Sequence, residues 1–296
     1  MKPARALVLG AGGQLGRALM ESSPGEVSVT GLTRAACDIA NPDAVEQCLE
    51  QIDPQVVINA AAYTAVDDAE DFPDRAFAVN AEGPENLAKL CARGGIRLLH
   101  VSTDFVFDGQ ATAPYATAAM PAPLGIYGES KWRGEQWIQS SGADHVIVRT
   151  SWVYAATGRN FVLTMLRLMR ERQVVRVVND QIGAPTMAMG LAGICWSLAL
   201  KAETQGTFHW SDAGGISWYD FACGIRDEAQ TLGLLTAPAR VEPIPTEAFP
   251  TKARRPAYSV LDAQDTAAVL GVAQRPWREA LRDMLGSLAE RGGLTQ

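Results

Sequence analysis

The fold of this chain is decided near its start, by the stretch Gly10-Ala11-Gly12-Gly13-Gln14-Leu15-Gly16. An apolar run from residue 5 to residue 10 predicts a β-strand, and a helical pattern reaching about residue 22 follows the turn. Glycines three residues apart permit a tight turn, a close approach of the backbone to a pyrophosphate, and close packing of the helix on the strand. This context favours a dinucleotide-binding turn over a bare tight turn. The first residues could also begin a short signal peptide, but the glycine turn directly after them favours a strand.

Composition and charge exclude several classes of protein. The 296 residues are 47% apolar, which is enough for one large or two ordinary domains with a substantial core. The net charge of −7 and the lack of a basic block argue against a nucleic-acid partner. Five scattered cysteines without a C-x-x-C pair favour reduced thiols in a cytoplasm over a disulfide framework or a zinc site. The longest apolar run, residues 187–200, is too short and too broken by glycine and serine to cross a bilayer.

Strand-like and helix-like segments alternate over the first half of the chain. Apolar strands are predicted at residues 27–32, 56–62, 98–102 and 145–149, with a helix starting at an Asn41-Pro42 cap and another from about 73 to 93. This alternation predicts an α/β fold with a doubly wound parallel sheet, here of the Rossmann type. Residues 1–150 would form the NAD(P)-binding domain. Residues 151–296 would form mainly a smaller α+β substrate-binding domain, which includes residues 207–210, while some segments return to the sheet.

The residues after the second predicted strand bear on the choice of cofactor. A fold that prefers NAD usually carries an acid there, which binds the ribose 2′-hydroxyl. This chain has Thr33-Arg34 instead, and a guanidinium suits a 2′-phosphate much better than an acid does. The sequence therefore favours NADPH, with NADH use possible, although Arg34 could also be an ordinary solvated side chain.

Two further segments carry groups suited to proton transfer. Val101-Ser102-Thr103-Asp104 brings hydroxyls to the carboxyl end of a predicted strand, where ligands of open α/β sheets bind. In Tyr127-Gly128-Glu129-Ser130-Lys131 the phenol and the amine share one helix face, one turn apart. An ammonium placed there would lower the pKa of the phenol, so that Tyr127 could donate a proton near neutral pH. With the glycine turn, these residues are typical of a carbonyl reductase of the short-chain dehydrogenase type.

A more specific resemblance rests on segments that occur in order along almost the whole chain. The chain resembles the dTDP-4-dehydrorhamnose reductase family of extended short-chain dehydrogenases. The segment at residues 179–186 is far more specific than the generic dehydrogenase motifs. The segments are Gly10-Ala11-Gly12-Gly13-Gln14-Leu15-Gly16, Asn59-Ala60-Ala61-Ala62-Tyr63-Thr64-Ala65-Val66-Asp67, Val101-Ser102-Thr103-Asp104-Phe105-Val106-Phe107-Asp108-Gly109, Tyr127-Gly128-Glu129-Ser130-Lys131, Arg149-Thr150-Ser151-Trp152-Val153-Tyr154 and Asn179-Asp180-Gln181-Ile182-Gly183-Ala184-Pro185-Thr186.

The resemblance implies an activity and a division of roles. It implies reduction of the C4 ketone of dTDP-4-dehydro-L-rhamnose, the last step of dTDP-L-rhamnose synthesis. Tyr127 would donate the proton, Lys131 would bind the nicotinamide ribose and lower the pKa of Tyr127, and Thr103 would hydrogen-bond the reacting oxygen. The residues implied in cofactor binding are Gly10, Gly12, Gly13, Gln14, Leu15, Gly16, Thr33, Arg34, Asp38, Ile39, Ala60, Ala61, Ala62, Tyr63, Thr64, Ser102, Tyr127 and Lys131.

Four residues are candidates for binding the nucleotide sugar. Thr103, Asp104 and Trp152 match positions that contact this substrate in the family. A tryptophan is more often a residue of the core, but the position of Trp152 just past a strand end favours a place in the substrate site. Arg255 is the candidate for the pyrophosphate, since its planar fork pairs well with phosphate oxygens, and a solvated basic run is the alternative.

Some residues are expected to carry no chemistry. His100, His145 and His209 lie in or beside strands and are interpreted as packing residues, and Asn80 within a predicted helix is uninformative. Some members of the family form magnesium-linked dimers through glutamates. The helix after the glycine turn has no acid at the corresponding place, so no metal site is predicted, and a monomer or homodimer is expected.

Two other functions stay open at this point. The substrate could be another nucleotide-linked 4-keto-6-deoxy sugar, or the product could have the opposite C4 stereochemistry. Similar chains also act as a non-catalytic, dinucleotide-binding regulatory subunit of methionine adenosyltransferase. The intact set Thr103, Tyr127 and Lys131 argues against that role, because a binding module has no need of it.

Overall fold

A central parallel sheet organises the protein, whose computed structural model describes residues 4–291. Six strands lie in the order β10-β5-β4-β3-β1-β2, and every neighbouring pair is parallel. The strands are β1 Ala4–Leu9, β2 Val27–Leu32, β3 Val56–Asn59, β4 Arg97–Thr103, β5 His145–Thr150, β6 Val153–Tyr154, β7 Val174–Val178, β8 Ile182–Gly183, β9 Thr186–Met187, β10 Gly206–His209, β11 Ile216–Ser217 and β12 Arg240–Ile244. The predicted α/β fold with a doubly wound parallel sheet is confirmed.

Helices cover both faces of this sheet and build a second layer beyond it. They are α1 Gln14–Glu21, α2 Pro42–Ile52, α3 Val66–Asp71, α4 Pro73–Phe77, α5 Gly83–Gly94, α6 Ile126–Ser140, α7 Phe161–Glu171, α8 Ala188–Leu200, α9 Trp218–Thr231, α10 Gln264–Leu270 and α11 Trp277–Glu290. A π-helical turn, Ala78–Glu82, joins α4 to α5, and 3₁₀ turns lie at Asp104–Val106 and Thr246–Ala248. The predicted cap is present, because the Asn41 side chain accepts from the backbone N–H groups of Asp43 and Ala44.

Alternate side chains of each buried strand point to opposite faces of the sheet. Ala6 and Val8 of β1 join the core under α1 and α8, whereas Leu7 and Leu9 join the core under α2, α5 and α6. Because helices cover both faces of the sheet, the sequence of each buried strand is a continuous apolar run. The same burial explains why the apolar stretch of α8 belongs to a globular core. Within the described residues, none of the helices is long and apolar enough to cross a membrane.

The second half of the chain forms another core but also returns to the sheet. Helices α7, α9 and α11 pack with the parallel pair β7–β12 around Tyr154, Leu166 and Phe221. Strand β10 instead pairs with β5 at the edge of the main sheet. The placement of residues 207–210 in the smaller part was therefore wrong for residues 207–209, which lie in β10. Phe208 is buried in the sheet core, which fixes this strand to the main sheet.

Candidate active site

The glycine turn between β1 and α1 is required by close backbone packing. Gly10 has a φ of +81°, a left-handed conformation that favours glycine, and a Cβ there would lie 2.6 Å from the backbone nitrogen of Ala61. A Cβ on Gly16 would lie 2.1 Å from the carbonyl oxygen of Gly10. These two glycines bring the turn against the end of β3. Gly13 caps α1 without a side-chain hydrogen bond, which leaves its first N–H groups available to an anion.

A cleft of about 440 Å³ opens beside this turn. Its size and its backbone-rich wall fit a dinucleotide, since glycines and alanines let a ligand lie close to the main chain. Most of the residues implied in cofactor binding line it, together with Ala35, Cys37 and Val79, which sequence reasoning did not name. The implied residues in the wall are Gly10, Gly12, Gly13, Thr33, Arg34, Asp38, Ile39, Ala60, Ala61, Ala62 and Tyr63.

Five other residues implied in cofactor binding do not line this cleft. The Gln14 side-chain oxygen accepts a hydrogen bond from the Asn160 amide at 2.8 Å. Leu15 is buried in the core under α1, and Gly16 packs against the turn itself. The buried Ser102 hydroxyl donates to the Glu135 carboxylate. Thr64 is exposed and lies outside the cleft wall. These side chains shape or adjoin the cleft without lining it.

Arg34 stands at the open side of the cleft. Its Nε lies 3.2 Å from an Asp38 carboxylate oxygen, and the Arg34 side chain is 63% exposed. An exposed pair of this kind contributes little free energy, so a ligand phosphate can compete for the guanidinium.

Asn80, which sequence reasoning considered uninformative, connects the cleft to helix α6. Its side chain accepts from the Tyr63 backbone N–H at 2.8 Å and donates to the Tyr63 carbonyl at 3.0 Å. It also donates to the Ser130 hydroxyl at 3.1 Å, and Ser130 donates to the Tyr127 carbonyl at 2.9 Å. Asn80 is 1% exposed, and no local sequence pattern indicated that it faces inward. Asn80 therefore fixes the cleft wall relative to the first turn of α6.

Thr103 and Tyr127 come together where β4 ends and α6 begins, and Lys131 follows one turn further along α6. The Thr103 hydroxyl donates to Asp104 Oδ1 at 3.1 Å and adjoins the Tyr127 phenol. Burial, with a smaller contribution from the Asp104 charge, raises the pKa of Tyr127 to about 12, although the Thr103 hydrogen bond acts to lower it. The phenol is therefore protonated at neutral pH.

The Lys131 amine points under β4. Its Nζ donates to the Val101 carbonyl at 2.7 Å and lies 3.0 Å from His100 Nε2. Burial lowers the pKa of Lys131 to about 8, against the opposing charge of Glu135. Burial of the phenol dominates in this structure and raises the pKa of Tyr127, and a lowering influence of the Lys131 ammonium stays a prediction.

Asp104 is a buried carboxylate beside the phenol. It is 2% exposed, and its Oδ2 has no hydrogen-bond partner within residues 4–291. Burial raises the pKa of Asp104 to about 6, while hydrogen bonds from Ser259 and Thr103 act to lower it. A buried oxygen without a partner is costly, so its position beside Tyr127 suits a hydroxyl of a ligand.

Trp152 is held in a strained conformation directly after β5. Its φ is +47°, which is rare for a bulky residue and commonest at functional sites. The indole stacks on Trp218, with ring centroids 3.4 Å apart. A Cβ on Gly183 would lie 2.5 Å from the same indole, which explains a glycine in the specific segment 179–186.

Arg255 forms an ion pair with Asp67 of α3. Its Nη2 lies 2.8 Å from one carboxylate oxygen and its Nη1 lies 3.2 Å from the other. The Arg255 hydrogen bond holds the pKa of Asp67 below its usual range. Lys252 and Asp71 also form an ion pair, so this segment is tied to α3. Binding of a pyrophosphate by Arg255 stays a prediction.

The three histidines are buried, as expected of packing residues, but each ring also makes hydrogen bonds. In the part of the chain that the structure describes, no group of three His, Cys, Asp or Glu side chains is placed to hold a metal ion.

Comparison with known proteins identifies the family. The family model described as "RmlD substrate binding domain" matches residues 4–290. A dTDP-4-dehydrorhamnose reductase of Aggregatibacter actinomycetemcomitans is 40% identical over 288 residues, which cover 95% of this chain and 98% of the relative. The chain belongs to the dTDP-4-dehydrorhamnose reductase family.

Solved structures agree with this membership. The dTDP-4-dehydrorhamnose reductase of Bacillus anthracis, crystallised in complex with NADP, is 38% identical and superposes with a TM-score of 0.90 over 96% of this chain and 99% of that one. The UDP-glucose 4-epimerase of Thermus thermophilus, in complex with NAD, is 20% identical with a TM-score of 0.82, over 98% of this chain and 100% of that one. The second likeness extends to the fold alone.

Proposed function

We propose that this protein reduces the C4 ketone of dTDP-4-dehydro-L-rhamnose with NADPH and so forms dTDP-L-rhamnose, the last step of dTDP-L-rhamnose synthesis. The observation that carries the proposal is the contact of Thr103 with Tyr127 where β4 ends and α6 begins, with Lys131 one turn further along α6. Membership of the family supports the same reaction. When bound, NADPH supplies the hydride to the carbonyl carbon.

The cleft wall fits this cofactor. The wall around Gly10, Gly12, Gly13 and Ala60 would hold the dinucleotide, with its pyrophosphate at the N-terminus of α1. Arg34 would bind the 2′-phosphate, which favours NADPH over NADH. The NADP complex of the Bacillus anthracis relative supports this preference.

Side chains of the protein carry out the proton transfer. Tyr127 is protonated at neutral pH and donates its proton to the carbonyl oxygen as the alcohol forms. Thr103 adjoins the phenol, and its hydroxyl, which donates to Asp104 in this structure, would turn to donate to the phenolate that the transfer leaves behind. Asp104 offers an oxygen without a partner to a sugar hydroxyl. We propose that Trp152 and the second half of the chain complete the binding site for the nucleotide sugar, with Arg255 at its pyrophosphate.

The direct test is loss of NADPH absorbance with dTDP-4-dehydro-L-rhamnose, generated in place from dTDP-glucose by the two preceding enzymes of the pathway. Turnover with dTDP-L-rhamnose as the product supports the proposal. NADPH binding without turnover refutes the proposal. Turnover of only a different nucleotide-linked 4-keto-6-deoxy sugar would assign that sugar as the substrate instead.

The role of Tyr127 has its own test. Tyr127→Phe should lower kcat by about 10²–10⁴-fold, because only the proton donor is lost, while NADPH affinity stays unchanged. Tyr219→Phe on α9 is the matched control and should keep the normal rate. A near-normal rate in Tyr127→Phe would contradict the assignment.

A further inference from the structure

The contacts of His100 determine which of its ring nitrogens carries the proton. His100 Nδ1 lies 3.1 Å from the Asn59 side-chain nitrogen, and its Nε2 lies 3.0 Å from Lys131 Nζ. The Asn59 side-chain oxygen accepts from the backbone N–H of Ala61 at 3.1 Å, which fixes the orientation of the amide. The Asn59 NH₂ group therefore donates to Nδ1, and the ring proton of neutral His100 lies on Nε2.

This tautomer has a consequence for Lys131. The Nε2–H group of His100 points at Nζ, so a hydrogen bond between them needs a lone pair on the nitrogen of Lys131. A neutral amine has that lone pair and can still donate to the Val101 carbonyl, at 2.7 Å. An ammonium has no lone pair and would leave two buried donors facing one another. His100 is fully buried, and burial together with the Lys131 charge holds its pKa well below the usual range, so the ring does not respond by taking a second proton.

We propose that His100 is a positioning residue, which orients the Lys131 amine and favours its neutral form by donating Nε2–H to it. The other titratable groups near Lys131 affect its protonation in different ways. Glu135, one turn further along α6, favours the ammonium, but the Glu135 carboxylate is paired with Arg149 of β5 at 2.6 Å. Tyr127, one turn before Lys131, is a neutral phenol at neutral pH, and Asp104 adjoins that phenol.

The kinetic consequence rests on the proposed function. Each reduction leaves Tyr127 as a phenolate, whose proton has gone to the product hydroxyl and is replaced from water. The ammonium of Lys131, on the same face of α6, favours that phenolate, so activity should fall as pH rises through the pKa of Lys131. By lowering this pKa, His100 makes Lys131 able to change its protonation state near physiological pH.

The test replaces the imidazole by a side chain that can accept from an ammonium. In His100→Gln the amide oxygen can face Nζ, so the pKa of Lys131 should rise by about one unit, the equivalent of one net hydrogen bond. The pKa is read from the side-chain carbon shifts of the chain's five lysines by NMR. The alkaline loss of kcat should move to higher pH by the same amount. His145→Gln, at the amino end of β5, is the matched control and should leave both unchanged.

A second measurement uses the unaltered protein and does not depend on the variant folding. His145 and His209 each place Nδ1 against a backbone carbonyl, at 2.9 and 3.0 Å, so their ring protons should lie on Nδ1. Long-range proton–nitrogen NMR spectra, recorded above the usual histidine pKa, should show His100 with its proton on Nε2 and the other two with theirs on Nδ1. A proton on Nδ1 of His100, or an unchanged Lys131 pKa in His100→Gln, would overturn the inference. Absence of keto-sugar turnover in the unaltered protein would refute the proposed function alone, because the NMR measurements need no substrate.

Discussion

We expect a buried ion pair between α6 and β5 to contribute strongly to the stability of the protein. Glu135 of α6 and Arg149 of β5 have side chains 0% and 3% exposed, and the guanidinium contacts the carboxylate through Nε and Nη2, at 3.0 and 2.6 Å. Ser102 donates to the same carboxylate, and Arg149 also contacts His209 Nε2 at 3.3 Å. Together with Ser102, this pair joins α6 to β4 and β5.

The perturbation is Glu135→Gln, which keeps the shape of the side chain and removes its charge. The amide has one oxygen in place of two, so its NH₂ group must face a donor and at least one charge-assisted hydrogen bond is lost, worth about 1.5–3 kcal/mol. Arg149 is also left as a buried charge without a counterion. Breaking a buried pair in this way costs about 3–5 kcal/mol, a large part of the about 5–15 kcal/mol that stabilises a typical domain.

The assay is urea unfolding followed by tryptophan fluorescence, since the Trp132 ring lies 5.8 Å from the Arg149 guanidinium. Glu171→Gln is the control, because it breaks an exposed pair with Arg167 and should change the free energy of unfolding by less than about 0.5 kcal/mol. Equal losses in the two variants would refute the argument that burial makes the Glu135 pair important.

Two further predictions concern the cofactor cleft. Gly16→Ala places a methyl group against the Gly10 carbonyl, and because overpacking costs about 1–3 kcal/mol, NADPH affinity measured by calorimetry should fall about tenfold. Gly286→Ala, with nothing within 4 Å of the new Cβ, should bind NADPH normally, and an equal affinity in both variants would show that the turn tolerates the methyl group. Arg34→Ala should raise KM for NADPH about tenfold, as expected for a lost charge-assisted hydrogen bond, and leave KM for NADH unchanged. An equal change for both cofactors would show that Arg34 does not bind the 2′-phosphate.

Local patterns were sufficient for most of the fold. The glycine turn, the apolar strands and the Asn41 cap depend on neighbours a few residues away, and the structure contains each of them. The strand predicted at residues 56–62 was wrong for residues 60–62, because β3 ends at Asn59 and the chain then leaves the sheet along the cleft wall. Thr103 could also be placed at the site, because ligands of open α/β sheets bind at the carboxyl ends of the strands. Helix spacing placed Lys131 on the same face as Tyr127.

Contacts between distant segments decided the rest. Burial sets the pKa of Tyr127 and Lys131, and burial depends on which elements pack around α6 rather than on the spacing within it. Asn80 carries no local signal, because its partners Tyr63 and Ser130 are 17 and 50 residues away along the chain.

The sequence by itself therefore determined the class of fold, the family and the residue types at the site, since these follow from short-range periodicity and motifs. Only the tertiary structure decided that residues 206–209 return to the sheet, that Arg255 pairs with Asp67 and that His100 contacts Lys131. The physical reason is that hydrogen bonding and desolvation act between groups that are close in space, whatever their separation along the chain.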